Sequence, residues 1–434
     1  MSESPPAPPT FPVALRFWIK LGFVSFGGPA GQISMMHREL VEIRRWIDHK
    51  RFMDALNFCM LLPGPEAMQL ATYLGWRMHG AKGGIAAGAM FVLPSMLILF
   101  ALAWLAMAGG GFGWLDALFL GLMAAVIAIV AQAVWRIGRR TLTTPVLWTI
   151  AAAAFLAIFI LNLSFVWIIL IAATLGAVGH RFLPGRFPSG GGHHAGDAGD
   201  IGPACQLTPP PPASGLRTAK VTLTCIALWA TPLIALILWL GWQSVPAQQG
   251  VFFSKAAMVT FGGAYAVLPY VAQQAVETHG WLSHPQMMTG LALAESTPGP
   301  LIMVLQFVGF VGAWQNPGTL TPIGAATIGA LITTWVTFLP CFWFIFLGGP
   351  HVERLGDMPR VSAALTALTA AVVGLILNLG VAFTRHSIWP DADTTRWPLA
   401  LLAIAAFIAL TRFRAGLIPI IAVCGTIGGL GWLG

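Results

Sequence analysis

The chain has 434 residues, of which 57% are hydrophobic and only 9% charged, whereas a soluble protein carries about 25% charged residues. That balance excludes an ordinary soluble enzyme or binding module and defines a membrane protein. The formal net charge of +8 would suggest a nucleic-acid partner in a soluble chain; here it reads as basic loops held at an anionic cytoplasmic leaflet, with no nucleic acid involved.

The first ten residues, "MSESPPAPPT", are polar and proline-rich. They lack the basic flank and cleavable apolar core of a signal peptide and read as a short disordered cytoplasmic leader, 1–10. Thirteen apolar segments follow, near 11–28, 50–79, 83–108, 114–138, 144–162, 164–180, 219–242, 248–270, 284–313, 321–347, 360–383, 397–411 and 415–433. Stretches such as 83–108 and 221–242 exceed the ~20 residues that a helix needs to cross a hydrocarbon core. None alternates as a strand would, so the expected fold class is an all-α polytopic membrane protein. Between the first six segments and the rest lies a Gly- and Pro-rich stretch, 185–217, that cannot pack a core and reads as a flexible linker within 181–218. His193 and His194 in it read as an accidental pair rather than a metal site. Cys59, Cys205, Cys225, Cys341 and Cys424 are odd in number and scattered, so neither a disulfide framework nor a cysteine metal site is expected, and no cofactor is called for.

The chain repeats itself. A shift of 235 residues lays "FFSKAAMVTFGGAYA" from Phe252 on "FWIKLGFVSFGGPAG" from Phe17. The register holds without a gap through Phe26-Gly27-Gly28 on Phe261-Gly262-Gly263, Trp46 on Trp281, His49 on His284, and Pro63-Gly64-Pro65 on Pro298-Gly299-Pro300. Beyond "WQNPGTLTPIG" the shift becomes 246, placing Leu93-Pro94 on Leu339-Pro340. This reads as a duplication, with repeats over 11–180 and 248–434 and the 219–242 helix between them.

If 11–28 and the two Pro-Gly-Pro segments enter the membrane and return to the same side, 18 of the 23 Lys and Arg residues lie on the N-terminal side, Arg16, Lys20 and Lys255 lie inside membrane segments, and only Arg385 and Arg396 lie opposite. If every segment crosses, the bias is weaker. Both schemes place an odd number of crossings between the repeat starts, so the halves are expected to be inverted.

Pro-Gly-Pro inside an apolar run must break a helix. Broken helices at membrane depth are tolerated where they are buried in protein or line a wet cavity, and in inverted repeats such breaks mark the substrate path. A helix restart at Pro65 and Pro300 would leave free backbone N–H groups at Glu66, Ala67 and Met68, and at Leu301, Ile302 and Met303, which favour anions. Gly27, Gly28, Gly262 and Gly263 let backbone approach a ligand closely. Ser25 and Thr260 are aligned hydroxyls that could donate to an oxygen.

Lys20 and Lys255 are aligned cations within apolar segments, and a functional role is weighed against snorkelling to headgroups, since Lys20 lies one turn from Arg16. Glu66 (opposite Leu301) and Glu295 (opposite Met60) break the symmetry and could carry a coupling proton; a dipole-favoured first-turn residue is the plainer reading of Glu66. The charged stretch from His37 to His49 reads as an interfacial helix. An enzyme acting on an anionic lipid or nucleotide through Asp48, His49 and Arg51 is disfavoured, because the repeat carries Ser283, His284 and Gln286 there.

With "FGGPAGQISMM", "LLPGPEAMQLATYLGW", "FVLPS", "FGGAYAVLPYV" and "ESTPGPL" assembled, the sequence resembles the chromate ion transporter family in its long, two-domain form. The resemblance implies a bacterial inner-membrane protein that exports chromate and confers resistance. It implies no catalysis, with Lys20, Lys255, the paired Phe-Gly-Gly and the paired Pro-Gly-Pro as the motif residues. Export of a dianion from a negative cytoplasm is assisted by ~4.6 kcal/mol per 100 mV, at ~2.3 per elementary charge; proton exchange is the other possible drive. Sulfate or another tetrahedral oxyanion, or an anion channel, is the alternative. Partners beyond the oxyanion would be membrane lipids and, as an open alternative, a second copy in a homodimer.

The topology is testable. Single cysteines replacing Gly192 and Asn316, in a cysteine-free background, should label from opposite sides of the membrane, Gly192 from the cytoplasm; labelling of both from one side rules out the inverted arrangement.

Overall fold

The computed structural model describes residues 7–109, 113–182, 186–187, 205, 214–354, 359–390 and 395–431. Among them there is no strand. Most of the expected linker, and residues 1–6 of the expected leader, lie outside the described residues. Pro9, in the last part of that leader, accepts a 2.9 Å hydrogen bond on its carbonyl from His79 Nε2.

The first half contains α1 (Phe11–Val24), α2 (Gly28–His37), α3 (His49–Leu61), α4 (Glu66–Ala108), α5 (Gly113–Thr141), α6 (Pro145–Phe159) and α7 (Phe165–Phe182). The lone α8 (Gly215–Leu240) leads into α9 (Val245–Val259), α10 (Ala264–Ala272), α11 (His284–Ser296), α12 (Val304–Gln315), α13 (Pro322–Gly348), α14 (Pro359–Ile388), α15 (Trp397–Arg412) and α16 (Leu417–Gly429). The 235-residue spacing seen in the sequence recurs in the elements: α3 and α11 keep it at both ends, and so do the wide turns Arg38–Ile43 and Gln273–Thr278 that follow α2 and α10. Those turns are closed by Arg44 N–H to Glu39 O at 3.0 Å and by His279 N–H to Gln274 O at 2.9 Å. The aromatic packing repeats as well, with Phe17 5.9 Å from Trp46 and Phe252 5.6 Å from Trp281.

Six helices among the described residues are long and apolar enough to cross a membrane, and four shorter ones are apolar. The thirteen expected segments do not map one to one onto these, because the Gly-Gly and Pro-Gly-Pro breaks divide the runs 11–28, 50–79, 248–270 and 284–313 into helices too short to span alone. Helix α4 is also not a straight rod. His79 and Gly80 leave helical geometry, and a β-carbon on Gly83 would lie 2.2 Å from the Gly75 carbonyl oxygen, while one on Gly88 would lie 2.4 Å from Thr72 Oγ1. In an unbroken helix residues 72 and 88 would be roughly 24 Å apart at 1.5 Å per residue, so the two arms of α4 fold back on each other. In the second half α12 and α13 form the matching hairpin, with Gly309 and Gly329 in mutual backbone contact. Small residues allow such close approach where no water drives helices together.

The two halves are interleaved. Helix α5 packs on α15 and α16, and its counterpart α14 packs on α6 and α7. Again glycines set the spacing: a β-carbon on Gly121 would meet the Cys424 carbonyl at 2.1 Å, and one on Gly374 would meet the Ala151 carbonyl at 2.1 Å. One core cluster draws its buried residues from both halves. The lone α8 carries many outward apolar side chains, including Leu223, Leu238 and Trp239, as expected of a helix at the lipid-facing rim.

Gly83→Leu should therefore separate the arms of α4 and destabilise the protein by about 1–3 kcal/mol or more, the usual cost of overpacking. Ile85→Val, at an exposed position on the same helix, should leave the thermal unfolding of the detergent-solubilised protein unchanged.

Candidate functional site

Each half breaks twice, and the breaks of one half close on those of the other. Gly64 N–H donates to the Thr260 carbonyl at 2.7 Å, and Gly299 N–H donates to the Ser25 carbonyl at 3.0 Å. The two contacts are equivalent under the repeat, since Gly299 stands where Gly64 does and Thr260 where Ser25 does. Reciprocal contacts of this kind are the signature of a two-fold relation. A second pair agrees: Gly64 faces Cys341 Sγ, and Gly299 faces Ser95 Cβ and Oγ, with Ser95 and Cys341 at matching positions directly after Pro94 and Pro340.

Both central glycines are conformationally obligatory. Gly64 has φ 124° and Gly299 φ 101°, a region that costs a side-chain-bearing residue dearly. Proline on either side fixes the flanking backbone and leaves the glycine N–H as the tripeptide's one backbone donor, which the other half takes up. Gln69 Nε2 donates to the Pro63 carbonyl at 2.7 Å, and Gln32 Nε2 donates to the carbonyls of Gly299 at 2.6 Å and Ser25 at 3.1 Å.

The helix restarts differ from expectation by one residue, and differ from each other. Pro65 is the extended residue ahead of α4, which begins at Glu66. The first bond of α4 runs from Gln69 N–H to the Pro65 carbonyl at 3.0 Å, so the N–H groups of Glu66, Ala67 and Met68 precede the helical ladder. After Pro300 the chain makes a tight turn over Leu301–Met303 before α12. Met303 N–H donates to the Pro300 carbonyl at 2.9 Å, and one of the three donors expected free in the second half is therefore occupied. The tighter turn closes an i to i+3 bond that an α-helical start would leave open.

The other sequence-singled residues fall into two groups. Ser25, Thr260, Pro63, Pro65, Pro298, Pro300, Gly263, Leu301 and Glu295 are buried at or beside the breaks, while Gly27 and Gly262 are exposed. Thr260 Oγ1 donates to the Ala256 carbonyl of its own helix at 2.6 Å, so that hydroxyl's proton is used. Ser25 Oγ and Ser95 Oγ have no partner among the described residues. Glu66 reaches across to the second half: a β-carbon on Gly263 would lie 3.1 Å from Glu66 Oε1, so only glycine admits the carboxylate there. Lys20, Lys255 and Arg16 occupy exposed faces of α1 and α9, apart from the buried interlock. His37 to His49, read as an interfacial stretch, folds into the wide turn held by Arg44–Glu39 at 3.2 Å and His37–His49 at 2.8 Å.

One group was missed. Tyr265 hydroxyl donates to Glu295 Oε1 at 2.5 Å, and Arg136 of α5 acts electrostatically on both. Arg140, one turn further on, is within electrostatic range of Glu66. The sequence reading counted both arginines as topology markers. Their four-residue spacing, which puts them on one helix face, was the available signal.

Long apolar helices, glycine-lined helix contacts and paired interlocking breaks define a multi-pass helical membrane protein built around a central discontinuity. The sequence model of the family described as Chromate transporter matches residues 13–177 and 247–429. The chain is 37% identical over 383 residues to a "Chromate transport protein" of Pseudomonas aeruginosa, covering 86% of this chain and 81% of the relative. It is 30% identical over 417 residues to a protein of the same description from Cupriavidus metallidurans, covering 96% and 92%. A "Probable chromate transport protein" of Synechococcus elongatus is 28% identical over 417 residues, covering 96% and 94%. No solved structure matches. The chain belongs to the chromate transporter family, which is a family of transporters and not of enzymes.

Gly64→Ala and Gly299→Ala should each lower the thermal stability of purified protein whether or not an oxyanion is present. Each new methyl would sit 2.8 Å from Cys341 Sγ or 2.7 Å from Ser95 Cβ, on backbone that disfavours alanine by about 1–2 kcal/mol. An unchanged melting temperature for both would show that the interlock is not structural.

Proposed function

We propose that the protein exports chromate across the bacterial inner membrane, by alternating exposure of a site at the interlocked breaks. The observation that carries this reading is the reciprocal pair of contacts joining each Pro-Gly-Pro to the first break of the other half, Gly64 to Thr260 and Gly299 to Ser25. A substrate held there touches both halves at once, so rocking one half against the other would open the site to either side. The two-fold relation, taken with the asymmetry of basic residues, supports an arrangement of the halves that is inverted across the membrane. The relatives named for chromate transport support chromate as the cargo.

The N–H groups at the start of α4 suit a tetrahedral oxyanion. Export of a dianion can run on membrane potential, gaining ~4.6 kcal/mol per 100 mV from ~2.3 per charge. Glu66 and Glu295 are the carboxylates placed to carry a proton if exchange contributes. Sulfate shares the shape and charge of chromate and is the runner-up cargo.

Proteoliposomes holding the full chain should take up chromate saturably, in preference to sulfate, at a rate that rises with an imposed potential. Lys20→Met and Lys255→Met should each reduce that uptake several-fold while Arg16→Met does less. Non-saturating flux would make the protein a channel, sulfate preference would reassign its cargo, and full transport by the double lysine variant would show that both lysines only reach headgroups.

A further inference from the structure

The two interlocked breaks match in backbone but differ in side chains. Ser25, Gln32 and Ser95 meet at Gly299, and the repeat carries Thr260, Val267 and Cys341 at the corresponding positions. Gly299 N–H donates to the Ser25 carbonyl at 3.0 Å. Gln32 Nε2 donates to the carbonyls of both Gly299 and Ser25, at 2.6 and 3.1 Å. A β-carbon on Gly299 would lie 3.2 Å from Ser95 Oγ.

Each of the three side chains keeps a polar atom with nothing to bond. Ser25, Gln32 and Ser95 are at most 1% exposed, and Ser25 Oγ, Gln32 Oε1 and Ser95 Oγ have no partner among the described residues. Buried polar atoms are almost always paired, so three unpaired ones on residues that meet at one glycine call for a ligand that supplies the partners. The other break has less to satisfy. Thr260 Oγ1 donates to the Ala256 carbonyl at 2.6 Å, the Cys341 thiol turns to the Thr337 carbonyl at 3.8 Å, and valine has no polar side-chain atom. Gln69 Oε1 is also unpartnered on that side, but the group beside it at Gly64 is the Cys341 thiol, a weak donor.

The kinds of atom define the ligand. Both partners of Gln32 Nε2 are carbonyl oxygens, which only accept, so the amide orientation is fixed and Oε1 is left as a pure acceptor. The two serine hydroxyls are free to donate. A ligand that satisfies all three must offer oxygens to the hydroxyls and an O–H to Gln32 Oε1. A bare dianion has no proton to give and would set its own oxygen against the amide oxygen. Chromate takes up a proton near neutral pH, whereas sulfate does so only in strong acid.

We propose that Ser25, Ser95 and Gln32 form the oxyanion subsite, at the Gly299 break alone, and that it selects the singly protonated ion, hydrogen chromate, over the bare dianion. The proposal rests on the chromate-transport reading above and adds how chromate is told from sulfate, which has the same shape. The ion leaves with one negative charge instead of two, so the membrane potential still favours export, and the proton travels on the cargo. Neutral donors also avoid the cost of a resident cation at membrane depth.

The ionisable groups on the surrounding elements are engaged or placed elsewhere. Arg16 and Lys20 lie on exposed faces of α1, and His37 of α2 bonds Glu42 and His49. On α4, Glu66 faces Gly263, His79 bonds the Pro9 carbonyl, and Arg77 and Lys82 flank the bend at His79–Gly80. On α11, Glu295 accepts from Tyr265 and His284 stacks on His386. The charged residues of α3 lie in its first two turns, and α12 and α13 carry none. The proton that meets Gln32 is therefore the ligand's own.

The test is equilibrium binding of chromate, and separately of sulfate, to the purified full chain in detergent, from mildly acid to mildly alkaline pH. Apparent affinity for total chromate should fall about tenfold per pH unit once the free ion is mostly deprotonated, because only the protonated fraction binds. Sulfate should bind at least tenfold more weakly throughout. Ser25→Ala and Ser95→Ala should each weaken chromate binding about tenfold. The melting temperature of the anion-free protein should hold or rise in both, since each loses a hydroxyl that has no partner; a merely structural serine would give the reverse. Cys341→Ala, the matching truncation at the other break, should change binding less than twofold. Gln32→Met should flatten the pH dependence, because the acceptor that requires the ion's proton is gone. Should Gln32→Met fail to fold without its bonds to Ser25 and Gly299, the serine variants and the wild-type pH profile decide.

Wild-type affinity in both serine variants overturns the proposal, and so does an equal loss in Cys341→Ala. Chromate affinity that is constant or rises with pH overturns it as well, as does a pH slope unchanged in folded Gln32→Met, which would put the proton on the protein. In each of these cases chromate is still bound and the transport reading stands. Sulfate bound as tightly as chromate at every pH overturns this proposal together with the preference for chromate. A wild type that binds neither anion at any pH overturns both readings.

Discussion

The structure depends on a pair of hydrogen bonds that neither half could make alone. Pro-Gly-Pro leaves its glycine N–H as the tripeptide's one backbone donor, and at membrane depth an unmade hydrogen bond costs several kcal/mol. The donor on Gly64 is met by the carbonyl of Thr260, and that on Gly299 by the carbonyl of Ser25. Each acceptor is itself freed by the end of α1 or α9, where Ser25 and Thr260 leave helical geometry. Two kinds of helix break, each unfavourable in isolation, satisfy one another across the interface. The glycine contacts that interleave α5 with α16 and α14 with α6 extend the same reciprocity through the bundle.

That interlock explains how irregular backbone can persist in the middle of so apolar a chain. It also explains why the breaks are suited to a task. They bring backbone of both halves into contact, and the Ser25 and Ser95 hydroxyls there have no partner among the described residues. In the proposed transport reading an oxyanion would need donors that do not have to be stripped of a strong existing bond, and such groups would provide them.

The two repeats share a frame but differ in the charges they carry. Trp46 and Trp281 remain as matched buried rings beside Phe17 and Phe252, because packing tolerates little change of volume. Glu66 and Leu301 have parted company, as have Glu295 and Met60. Holding a charge in the membrane is costly, and an apolar residue opposite each of these carboxylates limits that cost.

The sequence by itself determined the class of the protein, its break points and its repeat. Proline and glycine act through local backbone geometry, so Pro63-Gly64-Pro65 and Pro298-Gly299-Pro300 could be read as breaks before any contact was known. Apolar runs likewise reveal helices, and the family emerges from motifs that sit at those breaks. Tertiary structure alone decided what the breaks touch. The pairing of Gly64 with Thr260 spans 196 residues of sequence, and no local pattern encodes a contact at that separation. The fold-back of α4 at His79–Gly80 and the approach of Arg136 to Tyr265 were hidden for the same reason. A lysine in an apolar helix draws notice from its neighbours in sequence, whereas an arginine near a helix end reads as a topology marker until the fold brings a buried tyrosine and glutamate within its electrostatic range.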